Sequence, residues 1–178
     1  MKVFADKLPD ALSKSVPPVI IVAGDEPLQH MEACDQVRAR ARESGVEERE
    51  VLHVEANFAW GRLTESAASL SLFASRKLIE LRLGSAKPGQ EGGKALKEYA
   101  EQAQGSDNIL LVSCAKLDAR EQKSAWFKAL DKLGLFVPVW PVDPSRLGFW
   151  LRDRAQRHGL SMSLDAARLL GERTEGNL

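Results

Sequence analysis

The chain has little cysteine, no long apolar run and no excess of charge of either sign. Its 178 residues include two cysteines, Cys34 and Cys114, each isolated within an apolar or helical pattern. They read as small buried residues in a reducing compartment, not as a disulfide or a metal pair. No apolar run approaches the ~20 residues that a bilayer-spanning helix needs, so no membrane partner is expected. Lys and Arg total 25, as do Asp and Glu. Net charge therefore makes no electrostatic case for a protein that coats nucleic acid or a membrane surface. The opening Met1-Lys2-Val3-Phe4-Ala5-Asp6 lacks a signal-peptide core and carries an acid early, so the expected location is cytoplasmic. The three histidines, His30, His53 and His158, do not stand at mutual ligand spacing, and no metal site is expected. The sequence contains no internal repeat and no low-complexity tract.

What is present is an alternation of strand-like and helix-like segments. Val19-Ile20-Ile21-Val22-Ala23 is a continuous apolar run, the pattern of a parallel strand covered on both faces. Pro27 suits the first turn of a following helix, with Asp25 or Glu26 at its positive end. Leu28, Met31, Cys34, Val37 and Ala41 mark the buried side of that helix, and Gly45 lies just past its end. Further strands are expected over 51–54, 78–83, 108–112 and 135–137. In the second of these, Ile79, Leu81 and Leu83 alternate with Glu80 and Arg82, which predicts one wetter face. Helices are expected over 60–70, 94–103 and 121–130, with the glycine-rich stretch 84–93 as a flexible connector. Five strands interleaved with helices imply right-handed crossovers, hence an α/β fold with a three-layer parallel sheet between helices.

The pattern changes at Pro141-Val142-Asp143-Pro144, a plausible hinge. Residues 1–142 therefore form the expected sheet domain. Residues 143–178 hold only two helical stretches, about 145–158 and 163–173, and read as the start of a helical lid domain that stops without a terminating signal. Arg146, Arg152, Arg154 and Arg157 lie among Asp143 and Asp153, the mix of a solvated helix face.

A parallel sheet whose first strand enters a loop and helix invites a nucleotide-binding hypothesis. A P-loop needs glycines to let backbone N–H groups wrap phosphate, a lysine for the outer phosphates and a hydroxyl for Mg²⁺. From Gly24, the second glycine position holds Gln29, the lysine position His30 and the hydroxyl position Met31. Asp25 and Glu26 bring like charge toward a phosphate, and Pro27 removes an N–H. Ser113-Cys114 end the 108–112 strand where an acidic pair would hold metal. The alternative match at Gly93-Lys94 fails at Pro88 and Ala95. No cofactor and no intrinsic catalysis are expected. Ser113-Cys114 resembles a nucleophile at a strand end, but no histidine or carboxylate can be assigned beside it from sequence.

Ser69-Leu70-Ser71-Leu72-Phe73-Ala74-Ser75-Arg76 is the most informative stretch. Trp60, Leu63, Ala67 and Leu70 form an amphipathic stripe in which Ala67 and Leu70 lie within about 40° of Leu63. Continued as a helix, the chain would place Leu72 about 180° and Phe73 about 80° from that stripe. Two readings stand: the helix ends near Ser69 or Ser71 and both residues join the core, or they form an exposed Leu-Phe plug for a partner's pocket.

Four local patterns carry a resemblance. They are Ala23-Gly24-Asp25-Glu26-Pro27-Leu28, Ser71-Leu72-Phe73-Ala74-Ser75-Arg76, Ser124-Ala125-Trp126-Phe127 and Glu175-Gly176-Asn177-Leu178. In this order and spacing the chain resembles the N-terminal half of the delta subunit of the bacterial DNA polymerase III clamp loader. The resemblance implies an AAA+-like (P-loop NTPase-like) fold without ATP-site residues. It also implies a protein that binds the sliding clamp (beta subunit) and helps open the ring for loading onto primed DNA, met only within the complex. The family's clamp-binding residues map onto Leu72 and Phe73, with Leu70 as a third apolar contact. Residues 69–73 also resemble the general clamp-binding pentapeptide, with Ser69 in place of its glutamine. Contacts to the other clamp-loader subunits would run through a C-terminal collar domain absent from this chain. Such a subunit has no catalysis of its own and belongs to a DNA-directed DNA polymerase, a nucleotidyltransferase, at the level of the holoenzyme. The rivals are a P-loop-type nucleotide-binding enzyme and a generic protein-interaction module on the same sheet.

Overall fold

The computed structural model describes residues 1–69, 76–103, 106–174 and 177. The chain divides into two compact units, Met1–Val139 and Trp140–Leu178. The first is built on five parallel strands: β1 (Val19–Gly24), β2 (Glu48–His53), β3 (Lys77–Gly84), β4 (Ile109–Cys114) and β5 (Gly134–Val139), in the order β2-β3-β4-β1-β5. The helices are α1 (Leu8–Leu12), α2 (Pro27–Glu43), α3 (Gly61–Ala68), α4 (Gly89–Gln102) and α5 (Ala125–Asp131).

The apolar run of β1 has the predicted cause. Val19, Ile21 and Ala23 pack into one core with Leu63 of α3, Leu96 and Tyr99 of α4, and Trp126 and Leu130 of α5. Ile20 and Val22 pack into the opposite core with Leu8 and Leu12 of α1 and Cys34, Val37 and Ala41 of α2. With both faces covered, every residue of β1 is buried and no polar alternation survives. This is a three-layer α/β sandwich.

Several local expectations are corrected. The glycine-rich stretch 84–93 is not all connector, because α4 begins at Gly89. A Cβ on Gly92 would sit 2.3 Å from Cζ2 of Trp60, so this glycine admits the indole against the helix. The 121–130 helix is two pieces: a 3₁₀ turn over Glu121–Lys123, then α5, which Ser124 caps by accepting the Phe127 N–H at 3.4 Å. Met31 is 54% exposed, not part of the buried side of α2. Helix α1 and a short parallel bridge from Lys2 to Phe136 at the β5 edge had no sequence signal. Finally, α3 ends at Ala68 and Ser69 has extended backbone (φ −69°, ψ 118°). The helical wheel therefore stops before the Leu-Phe stretch, and it gives no ground for placing Leu72 or Phe73 on either face.

The second unit is a pair of helices, α6 (Pro144–Arg157) and α7 (Leu164–Thr174). Asp143 caps α6 by accepting the Ser145 N–H at 2.8 Å. Leu147, Ala155, Ala167 and Gly171 are buried, and Gly171 is small enough for Leu147 of the other helix to approach. Among the described residues, no helix is long and apolar enough to cross a membrane.

Candidate functional site

The carboxyl ends of β1, β3 and β4 open onto a crevice of about 610 Å³, lined by Pro27, His30, Cys34, Arg38, Arg82 and Ser113 among others. In open parallel sheets this is where ligands bind. Its chemistry here is turned inward. The first free N–H groups of α2 are met by the chain's own carboxylate: Leu28 N–H donates to Glu26 Oε1 at 3.0 Å and Gln29 N–H to Glu26 Oε2 at 2.6 Å. A phosphate would need those same donors. Asp25 Oδ1 accepts the Lys116 N–H at 3.0 Å. Gly24 matches a P-loop glycine in sequence, yet its role is packing, since a Cβ there would lie 2.0 Å from the Val139 carbonyl oxygen.

His30 stands where a P-loop has lysine, and its ring bridges β1 to β4. Nδ1 lies 3.1 Å from the Gly24 carbonyl oxygen and Nε2 lies 2.8 Å from Ser113 Oγ. A carbonyl can only accept, so Nδ1 carries the proton and Nε2 accepts from the Ser113 hydroxyl. Burial lowers the His30 pKa, the bond to Gly24 opposing it, and favours this neutral ring. Sequence gave Ser113 no histidine partner; tertiary structure supplies one from 83 residues away. The pair is still not a hydrolytic dyad with a carboxylate behind it, because Nδ1 is engaged by a carbonyl. Nearby N–H groups that could hold an oxyanion are also engaged, Ala115 with Gly84 O at 2.7 Å and Lys116 with Asp25. Burial pushes the Cys34 thiol up to about 11 and the Cys114 thiol to about 12, so both remain protonated. Among the described residues no group of three or more His, Cys, Asp or Glu could hold a metal ion.

Beside the crevice lies a charged node centred on Glu80 of β3. Glu80, expected on a wet face of β3, is fully buried. Arg38 of α2 grips its carboxylate twice, Nε at 3.1 Å and Nη2 at 2.8 Å. Arg49 of β2 donates at 2.9 and 2.6 Å, and Arg82 of β3 at 2.6 Å. Burial alone would raise the Glu80 pKa; the bonds from Arg38, Arg82 and Arg49 outweigh it and hold the group at about 2. The available signal was topological: a strand inside the edge of a doubly covered sheet, as β3 is beside β2, has no wet face.

Leu70, Leu72 and Phe73 lie outside the described residues, but the chain on either side of them is well defined. Ser69 ends α3, and Lys77 opens β3 with its side chain buried. Lys77 Nζ donates to Ser69 Oγ at 2.5 Å, and Asn108 bonds both flanks.

The family model described as DNA polymerase III, delta subunit, matches residues 21–139. The chain is 27% identical to the DNA polymerase III subunit delta of Escherichia coli K12 over 181 aligned positions, covering 100% of this chain and 52% of that protein. It is 26% identical to the Haemophilus influenzae subunit delta, covering 99% of this chain and 52% of that one. The chain thus spans about half the length of these relatives. Among solved structures, a Bacillus subtilis DNA clamp loader delta protein superposes with a TM-score of 0.73 at 18% identity, over 98% of this chain and 53% of that chain. A variant of Thermotoga maritima RuvB gives 0.59 at 15% identity, over 96% and 55%. At these identities the two structures speak for the fold alone, an AAA+-like three-layer sandwich.

Proposed function

The chain belongs to the DNA polymerase III delta subunit family, and from that premise we propose that it is the clamp-contacting part of a clamp loader, acting by protein–protein contact without nucleotide chemistry. The observation that carries this reading is the Glu26 carboxylate on the N–H groups of α2. An AAA+-like sheet whose phosphate donors are satisfied from within has kept the architecture of a nucleotide switch and given its donors another use. His30 and Met31, in place of the P-loop lysine and hydroxyl, and Ser113-Cys114, in place of an acidic pair, support it further.

In this proposal Leu72 and Phe73, with Leu70, enter a hydrophobic pocket on the sliding clamp and help open one ring interface. Other clamp-loader subunits are engaged through the part of the relatives that lies outside this chain, and primed DNA is met only in the assembled complex. Residues 1–142 would be the clamp-binding domain and 143–178 part of a helical lid. The test is a titration of the chain against purified sliding clamp: saturable binding lost on Leu72→Ala with Phe73→Ala supports the proposal, and no binding by the unmodified chain defeats it. Tight ATP binding would instead favour the nucleotide-enzyme rival.

A further inference from the structure

Lys77 is one of the few charged residues whose side chain is buried, at 2% exposure. Its Nζ donates to Ser69 Oγ at 2.5 Å and lies 3.6 Å from Glu50 Oε2. That carboxylate also accepts from Ser66 Oγ at 2.6 Å. A second tie crosses the same place. Asn108 Oδ1 accepts the Lys77 N–H at 3.1 Å, while Asn108 Nδ2 donates to the Ala67 carbonyl at 3.3 Å. Arg76 is anchored as well, donating to the carbonyls of Asp107 and Ser44, each at 3.2 Å. The end of α3 and the start of β3 are thereby fastened to each other, to β2 and to the turn before β4.

We propose that Lys77 and Asn108 are positioning residues, a clasp that fixes both ends of segment 70–75 so that its apolar residues meet the partner from a preset base. The inference rests on the clamp-binding reading above. Burying an ammonium is unfavourable, and an apolar side chain of similar volume would fill the same space without desolvating a charge. What the charge adds is direction: its bond reaches Ser69, on the far side of the segment, which an apolar residue could not fasten. A stretch of chain whose flanking residues are already joined has surrendered part of its configurational freedom before the partner arrives, so less is lost on binding.

The experiment measures clamp affinity and thermal midpoint for the unmodified chain, Phe73→Leu, Lys77→Met and Asn108→Ala, and for each clasp variant combined with Phe73→Leu. About tenfold weaker clamp binding is expected for Lys77→Met at temperatures where the variant is folded. In the Phe73→Leu background the loss should shrink, because the clasp acts only through the segment it positions. Unchanged affinity in folded Lys77→Met, or a loss that adds fully to that of Phe73→Leu, overturns the clasp. Should Lys77→Met fail to fold, Asn108→Ala carries the same comparison, since it cuts both backbone ties without emptying the lysine's site. Equal affinity of the unmodified chain and Phe73→Leu would defeat the plug reading itself, an outcome distinct from failure of the clasp.

Discussion

Arg38 and Glu80 form a two-point contact across the layers of the sandwich, Nε to Oε2 at 3.1 Å and Nη2 to Oε1 at 2.8 Å. The carboxylate is fully buried, so its charge is tolerable only because three guanidinium groups converge on it. With the folded pKa held at about 2 against an ordinary 4.5, Glu80 is a depressed acid. Its contribution is complete above the unfolded pKa and is lost as pH falls through the folded one. Stability should therefore drop by about 3 kcal/mol between roughly pH 5 and pH 2 from this group. Urea denaturation across that range should show the slope, and Glu80→Gln should flatten it. An equal slope in the variant would assign the acid sensitivity elsewhere.

Leu72→Ala with Phe73→Ala should abolish clamp binding and leave the denaturation midpoint nearly unchanged. Central interface anchors commonly lose at least ~2 kcal/mol each on truncation. Core residues would instead lose about 2–5 kcal/mol apiece in folding stability. The two readings move different observables, and one titration with one melt separates them. A collapsed midpoint would put both residues in the core.

Calorimetry with ATP and Mg²⁺ should give no heat of binding. Glu26→Ala removes the cap of α2 and should lower stability by about 1 kcal/mol. It should still create no nucleotide site, because His30 remains tied to Gly24 and Ser113. ATP binding that disappears on His30→Ala would reverse this reading of the crevice.

Gly24→Ala should destabilise by at least about 1–3 kcal/mol, because its Cβ would meet the Val139 carbonyl oxygen at 2.0 Å in a closely paired strand. Gly61→Ala is the control: nothing lies within 4 Å of a Cβ there. It should be neutral or stabilising by up to about 1 kcal/mol. Thermal melts of the two variants should diverge accordingly.

The alternation of apolar runs with amphipathic stretches was enough to determine a doubly covered parallel sheet. A strand covered on both faces reads as a near-continuous apolar run, as β1 does, and five such strand-like segments interleaved with helical ones point to this architecture. Local chemistry was also legible where one turn decides it: Pro27 opens α2 as its position after the first strand predicted. The missing P-loop side chains could be read in order from Gly24. What the sequence could not decide depends on residues far apart in the chain. Strand order puts Ser113 beside His30, and the packing of α2 on β3 brings Arg38 to Glu80, converting an apparently wet position into a buried ion cluster. The end of α3 belongs here too: Lys77 and Asn108 fasten its last turn through bonds spanning 8 and 41 residues. Periodicity reports the environment of one element at a time, whereas a hydrogen bond between distant residues exists only after the chain has paid the entropy of bringing them together.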